Sequence, residues 1–119
     1  MDDPSEELPE ELPEELPEDG TLGGYMAEHD RPPSFEGSDA RPYTVSVEVE
    51  QIGDLRAPFA GYLVFPRWSP GGREVVGHVQ TPLLARGRTH DDVVAEIGSL
   101  PLAEIKSLLE EAIGRRRSG

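Results

Sequence analysis

The chain has 119 residues, with 24 Asp and Glu against 11 Lys and Arg, a formal net charge of -13, and no cysteine. That length suits one domain; the lack of cysteine excludes a disulfide framework and thiolate chemistry, and the charge opposes unaided binding to nucleic-acid phosphates or anionic lipid. The N-terminus is acidic where a secretory signal is positive, and no apolar run approaches the roughly eighteen residues of a membrane span, so a cytoplasmic protein without a membrane partner is expected.

The acidity is local. Ten of the 24 acids lie in residues 1–20, and no base precedes Arg31, so the remainder carries only 14 acids against 11 Lys and Arg. Within the acidic segment, Glu6 to Glu18 reads EELPEELPEELPE. Pro9, Pro13 and Pro17 recur every four residues. Each would cost a helix interior about 3 kcal/mol by removing a hydrogen bond and clashing with the preceding turn. Leu8, Leu12 and Leu16 precede them and are pushed towards extended backbone. Three leucines among ten like charges bury too little surface to offset ordering, so residues 1–20 are expected to form a disordered arm. As a recognition element, the arm would dock Leu8, Leu12 and Leu16 in pockets while Glu10, Glu11, Glu14 and Glu15 meet a basic rim. The plainer reading is a solubilising tail. A third option is a weak, salt-sensitive return onto Arg115, Arg116 and Arg117.

Residues 21–42 are rich in Gly, Pro and Asp without sustained periodicity and read as a linker, with Tyr25, Met26 and Phe35 as points of attachment to the domain. A turn of helix around Met26 to His29 also fits.

The domain proper is expected at residues 43–119. Tyr43 to Glu50 alternates strictly, with Tyr43, Val45, Val47 and Val49 on one face, which predicts a half-buried strand. Tyr62 to Trp68 is apolar on both faces, as a central strand would be. Ser69 to Arg73, SPGGR, supplies turn chemistry for a hairpin to a third strand, Val75 to Thr81. Pro82 interrupts it, and Leu83 to Arg86 form a fourth short strand or a bulged continuation. Thr89, with Asp91 and Asp92 in the following turn, caps a helix ending at Gly98. A second helix begins near Pro101 and carries Leu102, Ile105, Leu108, Leu109, Ala112 and Ile113 at helical spacing, finishing on Arg115 to Arg117. Strands followed by helices give an α+β class: an antiparallel sheet of three to four strands with two C-terminal helices on one face. So small a domain is marginal alone, which makes a partner or a homo-oligomer through the sheet face or an edge plausible.

The candidate chemistry is sparse. His29, His78 and His90 lack helical ligand spacing and cysteine partners, so no metal site is expected; His78 should project from the sheet opposite Val79. No nucleophile elbow, phosphate loop or dinucleotide fingerprint occurs, and no cofactor is implied. Glu48 and Glu50 share a strand face about 7 Å apart, which reads as a solvated face before it reads as a catalytic pair.

Two short stretches resemble known families. Gly61-Tyr62-Leu63-Val64-Phe65 resembles the aromatic strand of RNA-recognition motifs, which implies base stacking, but no helix fits between the first two strands, and the aromatics alternate onto both faces. Gly87-Arg88-Thr89-His90-Asp91-Asp92-Val93, with Phe65-Pro66 upstream, resembles the helix entrance of HicB-type antitoxin subunits, which implies a regulator of a partner protein. The chain departs from that pattern by a further strand before the glycine and by having no DNA-binding segment after the last helix.

The expectation is a non-enzymatic module that binds a basic protein partner through its arm and through a domain surface formed by Tyr62, Arg67 and Trp68. The alternative is an inhibitor or antitoxin-like regulator of a nucleic-acid-binding protein, and the third reading is a small-molecule enzyme using Glu48, Glu50 or His78.

Overall fold

Strand β4, Phe59–Trp68, is the spine of a six-stranded antiparallel sheet in the computed structural model, which describes residues 20–118. In chain order the elements are α1 (Leu22–His29), β1 (Ser34–Glu36), β2 (Pro42–Thr44), β3 (Ser46–Gln51), β4, β5 (Val75–Gln80), β6 (Ala85–Gly87), α2 (His90–Gly98) and α3 (Leu102–Ser118). β4 pairs on one flank with β2 and β3 and on the other with β5 and β6. β1 adds outside β2, Phe35 opposite Tyr43.

The class is α+β with an antiparallel sheet, as the order of patterns predicts, but the sheet has six strands and not three to four. Two breaks and one addition account for the difference. The alternating run from Tyr43 divides at Val45 into β2 and β3, which nevertheless keep one register on β4, Tyr43 opposite Arg67 and Ser46 opposite Val64. Pro82 separates β5 from β6 because proline cannot donate to the ladder. β1 lies in the stretch expected as a linker; three residues are too short to show a period, and tertiary pairing decides their conformation.

The same stretch holds α1. Thr21 is extended and caps it, accepting from the Gly24 N–H at 3.0 Å, and Asp30 closes it with a left-handed φ of 55°. Segment 20–22 is bound to the start of α3: Leu22 N–H donates to Leu100 O at 3.0 Å, Leu102 N–H donates to Gly20 O at 2.8 Å, and Thr21 bridges Pro101 in antiparallel sense. Leu22 and Phe35 belong to the core, so residues 22–36 are built into the domain.

The two C-terminal helices lie where the apolar spacing puts them. Thr89 caps α2, accepting from Asp92 N–H at 3.0 Å, and Ile105 N–H donates to Pro101 O at 3.0 Å to begin the ladder of α3. On the sheet, Leu63, Phe65 and Val79 face Val93 and Ile97 of α2 and Ile105, Leu109 and Ile113 of α3 in one buried cluster. Each such side chain contributes about 1.5–3 kcal/mol on burial. Gly61 sits beneath α2, where an added Cβ would collide with Val93 Cγ1, so this glycine lets the helix approach the sheet. The β4–β5 hairpin closes through Ser69 N–H to Glu74 O at 2.8 Å, with Gly72 at φ 72° as its turn chemistry requires. None of the described helices is long and apolar enough to cross a membrane.

Candidate functional site

Side chains alternate along β4, and that alternation sorts the expected domain surface. Leu63 and Phe65 point into the core, and Arg67 follows them onto the helix-bearing face. Tyr62, Val64 and Trp68 point to the opposite face, where they are half-buried. There Trp68 Nε1–H donates to Thr44 Oγ1 at 3.0 Å, fixing the indole across β2. The expected grouping of Tyr62, Arg67 and Trp68 is therefore divided: Tyr62 and Trp68 share one face, and Arg67 is on the other. The arm residues Leu8, Leu12, Leu16, Glu10, Glu11, Glu14 and Glu15 lie outside the described residues.

Hydrogen bonding from β4 fixes which main-chain groups each edge presents. Thr81 N–H donates to Leu63 O at 3.0 Å and Leu84 N–H donates to Gly61 O at 2.8 Å, so Leu63 and Gly61 turn their carbonyls away from β3. Val47 stands opposite Leu63 and Val49 opposite Gly61. In an antiparallel ladder these are the non-hydrogen-bonded pairs, and their N–H and C=O groups point outward. Among the described residues nothing pairs with the main chain of Val47 or Val49 along that edge.

A cavity of about 720 Å³ lies beside this edge, between α1, α2 and the β2–β3 row. Leu22, Met26, Val45, Val47 and Val94 give it an apolar lining. Gly23 of α1 meets Gly98 of α2 at its floor, where an added Cβ on Gly23 would lie 3.1 Å from Gly98 O. On the opposite face of β3, Glu48 and Glu50 are exposed; Glu48 is opposite Tyr62 and accepts from Ser46 Oγ–H at 2.6 Å. The edge thus has an apolar side and an acidic side.

The other outer edge of the sheet is covered. Gln80 is opposite Val64 and His78 opposite Pro66, so their carbonyls point away from β4. Arg115 Nη2–H donates to Gln80 O at 3.3 Å and Arg116 Nη1–H donates to His78 O at 2.9 Å. Two guanidinium groups from the end of α3 therefore occupy acceptors that another strand would use.

Beneath that end of α3 is a second, polar cavity of about 430 Å³ lined by Asp39, Tyr43, Arg67, Val79, Ile113 and Arg116. Tyr43 OH donates to Asp39 Oδ2 at 2.7 Å, and Arg41 N–H donates to Asp39 Oδ1 at 3.1 Å. Burial, reinforced by that bond to Asp39 and opposed by the Arg67 charge, raises the Tyr43 phenol above its ordinary range. Arg67 Nε is buried and lacks a hydrogen-bond partner among the described residues. Its guanidinium lies against Gly77, where an added Cβ would sit 2.6 Å from Nη2.

The histidines stand apart. His29 stacks on Tyr25 with ring centroids 4.3 Å apart, His78 is exposed opposite the buried Val79, and His90 opens α2 beside Asp91. Among the described residues no group of three or more His, Asp and Glu is placed to hold a metal ion. The cavity around Arg67 escaped the sequence reading, although the two-residue period of β4 carries its signal: Arg67 has the parity of Leu63 and Phe65. Compared with protein-family models, curated proteins and solved structures, the chain gives no match.

Proposed function

We propose that the protein is a non-enzymatic interaction module that accepts an extended segment of a basic protein partner along the open edge of β3, while the acidic arm raises the partner's local concentration. The observation that carries this reading is the outward main chain of Val47 and Val49, with the apolar cavity beside Val47 and with Glu48 and Glu50 on the opposite face. A strand added there gains main-chain hydrogen bonds, and its alternate side chains meet two different surfaces. Apolar residues on one side enter the cavity, and Lys or Arg on the other face the two carboxylates.

Charge argues against a second copy of the chain as the added strand. Antiparallel self-pairing through β3 would gather Glu48 and Glu50 of both copies on one face, and like charges in opposed positions are destabilising. A basic, alternating segment inverts that term. The arm's ten acids add long-range attraction that accelerates encounter and fades with salt.

The test is a titration of the full chain with a short peptide alternating Lys and Val, read by amide chemical shifts and by calorimetry. Saturable shifts centred on β3 and α1 support the reading. Glu48→Lys with Glu50→Lys should abolish binding of that peptide and create binding to its Glu–Val counterpart. Absence of binding, or binding indifferent to the reversal, would overturn it.

A further inference from the structure

We infer that the acidic arm returns onto its own domain and seats a carboxylate of Glu14 or Glu15 in the polar cavity between Arg67 and Arg116. The cavity supplies the chemistry. Arg67 has a buried Nε–H without a partner, and no carboxylate pairs with Arg67 or Arg116 among the described residues. Asp39, the one acid in the lining, is already engaged by Tyr43 OH and Arg41 N–H, and Arg116 keeps donors beyond the one given to His78 O. Two guanidinium groups around a small cavity fit a carboxylate, which accepts from planar N–H forks.

The course of the chain selects the source of that carboxylate. Thr21 bridges Pro101 in antiparallel sense and Gly20 O accepts from Leu102 N–H, so stepping back from Thr21 to Gly20 is stepping forward from Pro101 to Leu102. An arm continuing in that direction would run along α3, towards Arg116. From Leu102 to Arg116 the helix rises about 21 Å at 1.5 Å per residue, a span that about six extended residues cover at roughly 3.3 Å each. Six residues before Gly20 stands Glu14, followed by Glu15. The net charge of -13 opposes a dissolved anion approaching the same cavity, whereas a tethered carboxylate arrives at high effective concentration.

The inference stands on the cavity and the chain geometry, independently of what β3 binds. Its consequence is competition: a basic partner that captures the glutamates must draw them from Arg67 and Arg116, so the arm is released in proportion to the partner's charge.

The chain has no cysteine, so Pro13→Cys in the full chain carries a nitroxide at one place. At low salt the amide signals of Tyr43, Val79 and Ile113 should lose most of their intensity. That intensity should return in about 0.5 M NaCl, where the screening length falls to roughly 4 Å. It should also return with Arg67→Met, and with Glu14→Gln plus Glu15→Gln, a pair of changes that lies outside the folded domain. Gly77→Ala, which displaces the Arg67 guanidinium while keeping its charge, should weaken the effect. Undiminished signals at low salt, or a loss that persists in the glutamine variant, would overturn the inference.

Discussion

The two outer edges of one sheet are finished in opposite ways. On β5 the outward carbonyls of His78 and Gln80 accept from Arg116 and Arg115. On β3 the outward groups of Val47 and Val49 are left unpaired among the described residues, Val47 beside an apolar cavity. An exposed edge templates strand addition, and proteins commonly block it with charge, proline or a covering element. Here one edge is blocked at the cost of two arginines and the other is furnished with an apolar side and an acidic side. On the function proposed above, β3 is the edge that receives the partner.

The largest test breaks the support common to both edges. Phe65→Ala, at a fully buried core position, should cost about 3–5 kcal/mol in denaturant unfolding and remove peptide binding at β3. Binding by β3 that survived this loss would mean that the edge does not depend on the packed sheet.

Uncovering the closed edge comes next. Arg115→Met with Arg116→Met removes two charge-assisted bonds from exposed acceptors, a loss of roughly 1–2 kcal/mol. The more telling result is qualitative: β5 should begin to take up extended peptides, visible as new shifts at His78 and Gln80. If the variant gains no binding there, the arginines do not act as an edge cover.

Blocking the open edge has a smaller effect on stability and a specific effect on binding. Val49→Pro deletes an outward N–H while sparing the ladder to β4. Binding of the alternating Lys–Val peptide should weaken about five- to tenfold, the worth of one net hydrogen bond of roughly 1 kcal/mol, with little change in the unfolding midpoint.

The smallest effect concerns pH and the polar cavity near the closed edge. Because the folded-state value of the Tyr43 phenol is raised, the folded chain holds that proton more tightly than the unfolded one. The associated stability is complete below the unfolded value near 10 and is lost as pH climbs through the folded value. Absorbance titration should show one tyrosine ionising late, and Tyr43→Phe should flatten the alkaline loss of stability.

The comparison also explains what could be read in advance. The alternation from Tyr43, the SPGGR turn and the Thr89 cap each depend on neighbouring residues, and all three stand in the structure. β1 and α1 depend on distant partners: Phe35 pairs with Tyr43, and Leu22 is held by Leu100, so no local period announces them. The edges were illegible for a related reason. Whether an outward carbonyl is covered depends on where α3 ends in space, and nothing near His78 names Arg116 as its donor. Arg67 is legible in the two-residue period, because counting by two from Leu63 reaches it and sets it on the face opposite Tyr62 and Trp68.

Amide hydrogen exchange at Val47 and Val49 in the full chain, with and without the alternating Lys–Val peptide, is the most direct test of β3 as the receiving edge. The account predicts rapid exchange in the chain alone and slowing by more than about tenfold at both amides when the peptide is bound, as new main-chain bonds form. Exchange at Val47 and Val49 that stays unchanged by a bound peptide, or protection that appears at His78 and Gln80 instead, would contradict it.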